Sequence, residues 1–312
     1  MRKPIVVVGS VNQDLVGKAD HVPLPGETVA GTEFAMFHGG KGANQAVGVA
    51  RLGWPVHMIA KVGDDAFGPP LKRALKSAGV DVRSVQAVKT SSGVALINIG
   101  KDGQNSILVI PGANAKMQPT DITKNASLLR RAGAFLTQLE IPLPVIETLA
   151  VFANREKIPL ILDPAPAREL PSGLLRDTTW ITPNESETRT LCGLPPDEPI
   201  TPETAAGCAE MLLERGPKNV LIKMGSQGCL AATRDGQRLN IPAFHVQAID
   251  STAAGDAFNA GFAVSLLAGK GIQEAARYAS AVAAISVTRR GAQPSMPKAA
   301  EVSRFLREQK NI

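Results

Sequence analysis

Aromatic side chains are scarce in this sequence. Nine Phe, two Trp and one Tyr make up 4% of 312 residues. Surfaces that track a nucleic acid need stacking aromatics and clustered basic charge. Lys and Arg number 34 against 28 Asp and Glu, a formal net charge of +6. These charges are scattered, the densest spots being the pairs Arg130-Arg131 and Arg289-Arg290, so no nucleic-acid partner is expected. Cysteine is nearly missing too. Cys192, Cys208 and Cys229 are odd in number and have no C-x-x-C spacing. That argues against a disulfide framework or a zinc site and suits a reducing cytoplasm. Long apolar runs are also lacking. The opening MRKPIVVVGS offers four consecutive apolar residues before Gly9, Asn12 and Asp14, too few for a leader or a membrane span. A cytoplasmic protein without membrane contact is the expectation.

What is present is core-forming material, with 44% hydrophobic residues. The length suits one large α/β domain with a small accessory piece, or two domains. IVVVGS (5–10) is a β-branched run that reads as a buried parallel strand. Similar runs recur at 134–140, 160–163, 180–184 and 219–225. Helical patterns at 43–53, 143–157 and 203–216 separate them. This alternation predicts a doubly wound, mostly parallel α/β sheet with helices on both faces. Two segments break the rhythm, about 13–38 and about 92–112; the second carries two apolar strands around a KDGQ turn. Both read as insertions forming a small β-sheet lid on a single domain spanning 1–312. The alternative is that they are edge strands of the main sheet.

Two glycine-rich stretches carry chemistry. HGGKGANQAVGVARLG (38–53) places Gly39, Gly40 and Gly42 before a helix expected from Ala43. A helix N-terminus behind glycines attracts anions or hydroxyl-rich ligands, and Lys41 adds a movable charge. The spacing is not that of a P-loop, and a tight turn would use the same glycines. DSTAAGDAFNAGF (250–262) sets Ala253, Ala254 and Gly255 before Asp256. With a helix beginning near Gly255, exposed backbone N–H groups suit the negative charge of a phosphoryl group in transfer. Asp256 beside them can take a proton from a hydroxyl. The plainer reading is a first-turn acid favoured by the helix dipole.

GGKGANQA and DSTAAGDAFNAG, with GSVNQD, LPGETVAG, KVGDDAFG, SSGVALI, GANA, QLEIPL, DPAPARELP, ITPNESE and GAQPS in this order, resemble the ribokinase-like carbohydrate kinases over nearly the whole chain. The resemblance implies a three-layer α/β fold and an ATP-dependent sugar kinase, with D-ribose the expected acceptor and ribose 5-phosphate the product. It implies that Asn12, Asp14, Gly40, Lys41, Gly42, Ala43, Asn44 and Glu140 bind the sugar. Asn184 and Glu187 fall in the motif near the phosphates, Glu187 acting on Mg²⁺ through water. Lys223, Met224, Gly225, Ser226, Gln227 and Gly228 match the loop over the nucleotide, with Ser280 near the adenine. Ala253, Ala254 and Gly255 match the anion hole, and Asp256 the base, which also contacts the sugar. A potassium site is implied at Asp250, Thr252, Ser286, Arg289, Gly291 and Ser295, several through carbonyl oxygens. A homodimer through the lid strands is implied as well.

The chain departs from the family pattern at four places. Ser251 and Ala253 stand where Thr and Gly are frequent, Asp163 where Asn is frequent, and Ser280 where some relatives place a larger polar residue near the adenine. Rival readings are a kinase of 2-deoxyribose or a nucleoside, and a non-catalytic sugar-binding protein on the same fold. Phe34 and Phe37 are the lid's few aromatics in 13–38, which speaks mildly against a stacked base. Retention of Asp256 speaks against the binding protein. A nicotinamide dehydrogenase is excluded because VVVGSVNQD lacks G-x-G-x-x-G.

Overall fold

The structure is a computed structural model and describes residues 2–309. The chain starts with β1 (Ile5–Val8), β2 (Asn12–Ala19), β3 (Gly31–Gly39) and α1 (Lys41–Arg51). Next come β4 (Val56–Gly63), α2 (Gly68–Ser77), β5 (Asp81–Val88), β6 (Gly93–Ile99) and β7 (Asn105–Ile110). Short helices α3 (Pro119–Lys124) and α4 (Ala126–Leu129) lead to β8 (Ala134–Gln138), α5 (Leu143–Glu156) and β9 (Leu160–Asp163). They are followed by α6 (Ser172–Asp177), β10 (Trp180–Ile181), α7 (Glu185–Cys192) and α8 (Pro202–Glu214). The last third holds β11 (Asn219–Lys223), β12 (Cys229–Thr233), β13 (Arg238–Ile241), α9 (Ala254–Leu267), α10 (Ile272–Val287) and α11 (Ala299–Glu308).

Nine strands form the main sheet in the order β13-β12-β11-β10-β9-β8-β1-β4-β5. Every pair from β11 to β5 is parallel; β12 alone runs opposite to the others, so its pairs with β11 and β13 are antiparallel. The apolar run of β1 is explained by two-sided burial. Ile5 and Val7 belong to one apolar cluster, Val6 and Val8 to the other. α1, α9 and α10 cover the first face, α5 and α8 the second. From β1 the chain moves outward to β4 and β5, then returns to place β8 on the other side of β1. That reversal opens a crevice at the carboxyl ends of β1 and β8, the place where open α/β sheets bind ligands.

A second sheet has the order β3-β2-β6-β7, antiparallel except for the β2–β6 pair. Its strands come from the two segments that broke the sequence rhythm, and they are not edge strands of the main sheet. One of its faces carries Phe34, Met36 and Leu108, all more than half exposed, with Leu96 between Met36 and Leu108 in the same cross-strand row.

The structure corrects several boundaries. α1 starts at Lys41, not Ala43, and α9 at Ala254. The 180–184 run pairs only at Trp180–Ile181, because Pro183 cannot donate to a ladder. β4, β5, β12 and β13 have no counterpart in the sequence reading. β5 and β13 mix exposed and buried positions, so they lack the continuous apolar signature of β1.

α1 and α9 pack closely where a β-carbon on Gly48 would lie only 2.7 Å from Ala260 Cβ. This contact brings Asn44 and Gln45 of α1 within bonding reach of Asp256 on α9.

Candidate active site

The crevice between β1 and β8 is bridged by a hydrogen bond from Ser10 Oγ to Glu140 Oε2. The same Glu140 oxygen accepts the Lys41 N–H at 3.1 Å, and Ser10 Oγ accepts the Gly42 N–H at 3.3 Å. Glu140 and Ser10 thus satisfy first-turn donors of α1, which needs anionic or polar partners there. Gly40 just before the helix has φ of 88°, and a β-carbon there would meet Asn12 N at 2.7 Å. Only glycine lets the chain pass this point against β2.

Asn12 and Asp14 project from β2 beside this crevice. Asn12 is buried, and its Oδ1 accepts from Asn114 Nδ2 at 2.7 Å, which orients the amide. Burial pushes the Asp14 carboxyl up to about 7, with Glu140 and Asp256 adding repulsion. Burial alone works against the Lys41 ammonium, yet Asp256, Asp163, Glu140 and Glu187 together hold its pKa above the ordinary lysine range. Lys41 therefore stays charged among carboxylates.

Asp256 occupies the first turn of α9 and is buried. Asn44 Nδ2 donates to its Oδ2 at 3.0 Å, and Gln45 Nε2 donates to its Oδ1 at 3.1 Å. Burial pushes the Asp256 carboxyl up to about 6. Lys41 pulls it down, Asp163 pushes it up, and the Asn44 and Gln45 donations pull it down. Gln45 was not read from the sequence as a site residue. Its amide also donates to Asp163 Oδ2 at 3.0 Å, and its Oε1 accepts from Gln138 Nε2 at 2.6 Å. Gln45, Gln138, Asn114 and Ser10 fall inside the stretches GGKGANQA, QLEIPL, GANA and GSVNQD, but their partners lie far along the chain, so nothing local announces what they bond to.

Ala253 adopts the left-handed conformation, φ 61°. The Ala254 N–H donates to Ser251 O at 3.1 Å, so of the three N–H groups expected to form an anion hole this one is already engaged. The Ala253 and Gly255 N–H groups have no acceptor among the described residues. Gly255, though not Ala253, lines a cavity of about 580 Å³ together with Asn184, Lys223, Gly225, Ser226 and Ala254, among others. Ser280 also lines it, as do Phe244 and Val246, which the sequence did not suggest. Met224 and Gln227 do not line it: Met224 sits in the apolar core and Gln227 donates to Ile200 O.

Glu187 is buried, not a solvated helix-start acid. It forms a capping box with Asn184: the Glu187 N–H donates to Asn184 Oδ1 at 2.9 Å, and the Asn184 N–H donates to Glu187 Oε2 at 2.7 Å. Burial raises its pKa, Asp163 raises it further, and Lys223, the Asn184 N–H and Lys41 oppose the rise. No cluster of three or more His, Cys, Asp or Glu able to hold a metal occurs among the described residues. One or two carboxylates near a cavity large enough for a nucleotide suit Mg²⁺, which keeps several waters and takes its other ligands from phosphates.

Of the positions expected at a monovalent cation, Asp250, Thr252 and Gly291 come together. Asp250 accepts the Thr252 N–H at 2.9 Å and the Gly291 N–H at 2.8 Å. These bonds hold its pKa below the usual range although burial works the other way. Ser286 and Ser295 donate to Ala283 O and Ala292 O, which leaves their hydroxyl oxygens free to accept. The Arg289 guanidinium is drawn to Glu301, so only its backbone carbonyl is available to a cation. Hydroxyls, carbonyls and one carboxylate fit a hard monovalent ion.

A match to the family described as pfkB family carbohydrate kinase spans residues 2–299. The chain is 38% identical to a protein named ribokinase from Haemophilus influenzae, over 98% of this chain and 99% of that one. It is also 38% identical to a protein named deoxyribokinase from Salmonella typhi, over 97% and 98%. Among solved structures, Arabidopsis thaliana ribokinase complexed with ribose and ATP matches with a TM-score of 0.90 at 34% identity, over 98% and 99%.

The left-handed Ala253 yields a stability test. An L-residue there costs about 1–2 kcal/mol, while glycine loses about 0.5–1 kcal/mol through its freer unfolded chain. Ala253→Gly should therefore raise unfolding stability by up to about 1 kcal/mol. Urea denaturation of both proteins reads the difference, and a clear loss in the variant would contradict the strained backbone.

Proposed function

Because the chain belongs to the pfkB family of carbohydrate kinases, we propose that it is an ATP-dependent ribose kinase, converting D-ribose and ATP to ribose 5-phosphate and ADP. The observation that carries this reading is the buried Asp256. It is held by two side-chain amides, it stands beside free helix N–H groups, and its neighbour Gly255 lines a cavity of about 580 Å³, large enough for a nucleotide. A protein that only binds sugar has no use for a buried carboxylate with its pKa raised toward neutrality.

In this reading the sugar lies against Asn12, Asp14, Gly40, Lys41, Gly42, Ala43, Asn44 and Glu140. Asn and carboxylate groups offer the paired donors and acceptors that a polyol needs. Asp256 orients the attacking hydroxyl and takes its proton. In a loose phosphoryl-transfer transition state that proton leaves late, so orientation is the larger part of its work. The Ala253 and Gly255 N–H groups stabilise charge on the phosphoryl oxygens, with the α9 dipole behind them. Asn184, Gly225, Ser226, Gly228 and Ser280 contact the nucleotide. Glu187 would hold Mg²⁺ through water, and the ion would supply charge neutralisation at the phosphates. Residues 13–38 and 92–112 act as a lid on a single catalytic unit, keeping water from the phosphoryl group. The cytoplasm is the proposed compartment.

A deoxyribokinase is the second reading, favoured by the Salmonella relative. Against it stands Asn12, buried and pre-oriented by Asn114. A site built to bond a hydroxyl is left with unpaired groups when that hydroxyl is missing. Coupled ADP-release assays should give a higher kcat/KM for ribose than for 2-deoxyribose, and Asn12→Met should narrow the gap. Equal turnover of both sugars by the parent protein would reject the ribose reading. Asp256→Asn should lose roughly 10²–10⁴ in kcat, the usual worth of a positioned base. Asp256 acts deprotonated, so kcat/KM should be level above neutrality and fall as pH drops through about 7 to 6, where Asp14 and Asp256 protonate. A profile flat from pH 8 to pH 5 would remove both carboxylates from the reaction.

The cation site is proposed as a potassium site that holds the Asp250 and Gly291 loops and thereby the anion hole. Potassium should raise the rate over a bulky organic cation at matched ionic strength. Identical rates in the two salts would dismiss the site.

A homodimer through the small sheet is also proposed. The exposed Phe34, Met36, Leu96, Leu108 and Ile110 share one face of this sheet, and a contiguous exposed apolar face marks an interaction site. Sedimentation at micromolar concentration should show a dimer, and Leu108→Glu should split it; a monomeric parent would refute the interface.

A further inference from the structure

We propose that the Lys223 ammonium, aimed by Asp163, contacts the phosphoryl group in transit. The inference rests on the phosphoryl-transfer reading above and adds a charged group that the anion hole does not contain.

Lys223 ends β11 and Asp163 ends β9, strands separated in the sheet by β10. Both side chains are buried, and Lys223 Nζ lies 3.0 Å from Asp163 Oδ1. The other Asp163 oxygen accepts from Gln45, the amide that also holds Asp256. One carboxylate therefore fixes the ammonium and, through one amide, the candidate base. The ammonium lies directly over the first turn of α9: a β-carbon on Gly255 would stand 3.3 Å from Nζ. Lys223, Asn184, Ala254 and Gly255 line the same cavity.

The hydrogen-bond inventory of the amine points to a missing partner. An ammonium carries three donors, and Lys223 Nζ has one acceptor among the described residues, Asp163. Buried charged donors without acceptors are costly. A phosphoryl oxygen entering the cavity beside Gly255 would accept from the remaining donors. It would also meet positive charge at the point where Asp163, Asp256 and Glu187 would otherwise repel it. A purely structural pair is the competing account, and buried ion pairs are weak evidence of added stability. The two accounts separate because replacing both charges restores a structural pair and cannot restore a phosphate contact.

The experiment uses the full chain after the parent has been shown to phosphorylate a sugar. A parent inactive on every sugar counts against the kinase reading itself. Lys223→Met should lower kcat about 10²–10³-fold, the cost of removing one preorganised donor to a developing charge, with the KM for sugar unchanged. Its affinity for a non-hydrolysable ATP analogue relative to ADP should drop about tenfold, because the lost contact is to the terminal phosphoryl group. That ratio is a binding readout and needs no turnover. Asp163→Asn should reduce the same ratio and kcat, with its sugar KM retained. The double variant Asp163→Asn with Lys223→Thr removes both charges; its melting temperature should return toward the parent value while kcat stays low. Recovery of kcat together with melting temperature in the double variant would reduce the pair to a structural strut. A parent-like analogue-to-ADP ratio in Lys223→Met would overturn the phosphoryl contact, and one in Asp163→Asn would overturn the aiming role.

Discussion

Charge crowding at the carboxyl ends of the central strands is the constraint on which this structure depends. Five acids, Asp14, Glu140, Asp163, Glu187 and Asp256, gather around two amines, Lys41 and Lys223. If all ionise, five negative charges face two positive ones, an excess of three. Ionising a buried carboxylate near another is unfavourable, and the raised values of Asp14 and Asp256 record that cost. Lys41 makes the same point from the other side. An ammonium at the first position of a helix opposes the helix dipole. It is held there because carboxylates from β9, the β8 end and α9 surround it. A polyanionic substrate entering such a site needs cations, whether carried in with it or already fixed in the wall.

The frame that tolerates this crowding is rigid where the candidate base sits. α1 and α9 meet through Gly48 and Ala260, and the amide chain Gln138–Gln45–Asp256 ties both helices to β8. Asn12 and Asp14 belong instead to β2 of the small sheet, although Asn114 and Gly40 hold the start of that strand. The crevice is thus shared between the two sheets, and a ligand bonded to both Asp14 and Lys41 would link them.

Much of this was legible in the sequence because it is local. The β1 run, the glycines before α1 and the small residues before Asp256 each report a backbone need that can be read within a dozen residues. The Asn184–Glu187 capping box is equally local, although its burial is not. What stayed hidden is set by tertiary distance. Gln45 reaches Asp163 across 118 positions and Asp256 across 211, and glutamine in an apolar helix face carries no signal of its own. Asp163 was visible only as a departure from a family pattern. Its meaning depends on Lys223, 60 positions away, and neither residue explains the other until the sheet brings β9 and β11 together. β5 and β13 were missed because half-exposed strands do not show a continuous apolar run.

The strain at Ala253 shows how the two ends of α9's leading loop are linked. A left-handed alanine persists only where its surroundings over-determine it. Here the Ala254 N–H is held by Ser251 O and the Ala257 N–H by Ala253 O, while Asp250 grips the Thr252 and Gly291 amides. The turn is fixed from both sides, so its geometry leaves the Ala253 and Gly255 donors free while Ala254's is spent within the loop. A right-handed residue at 253 would redirect the peptide that precedes the helix. The conformational cost at Ala253 is therefore the means by which this loop keeps two amides available beside a buried carboxylate, and the Asp250 bonds are what make that cost sustainable.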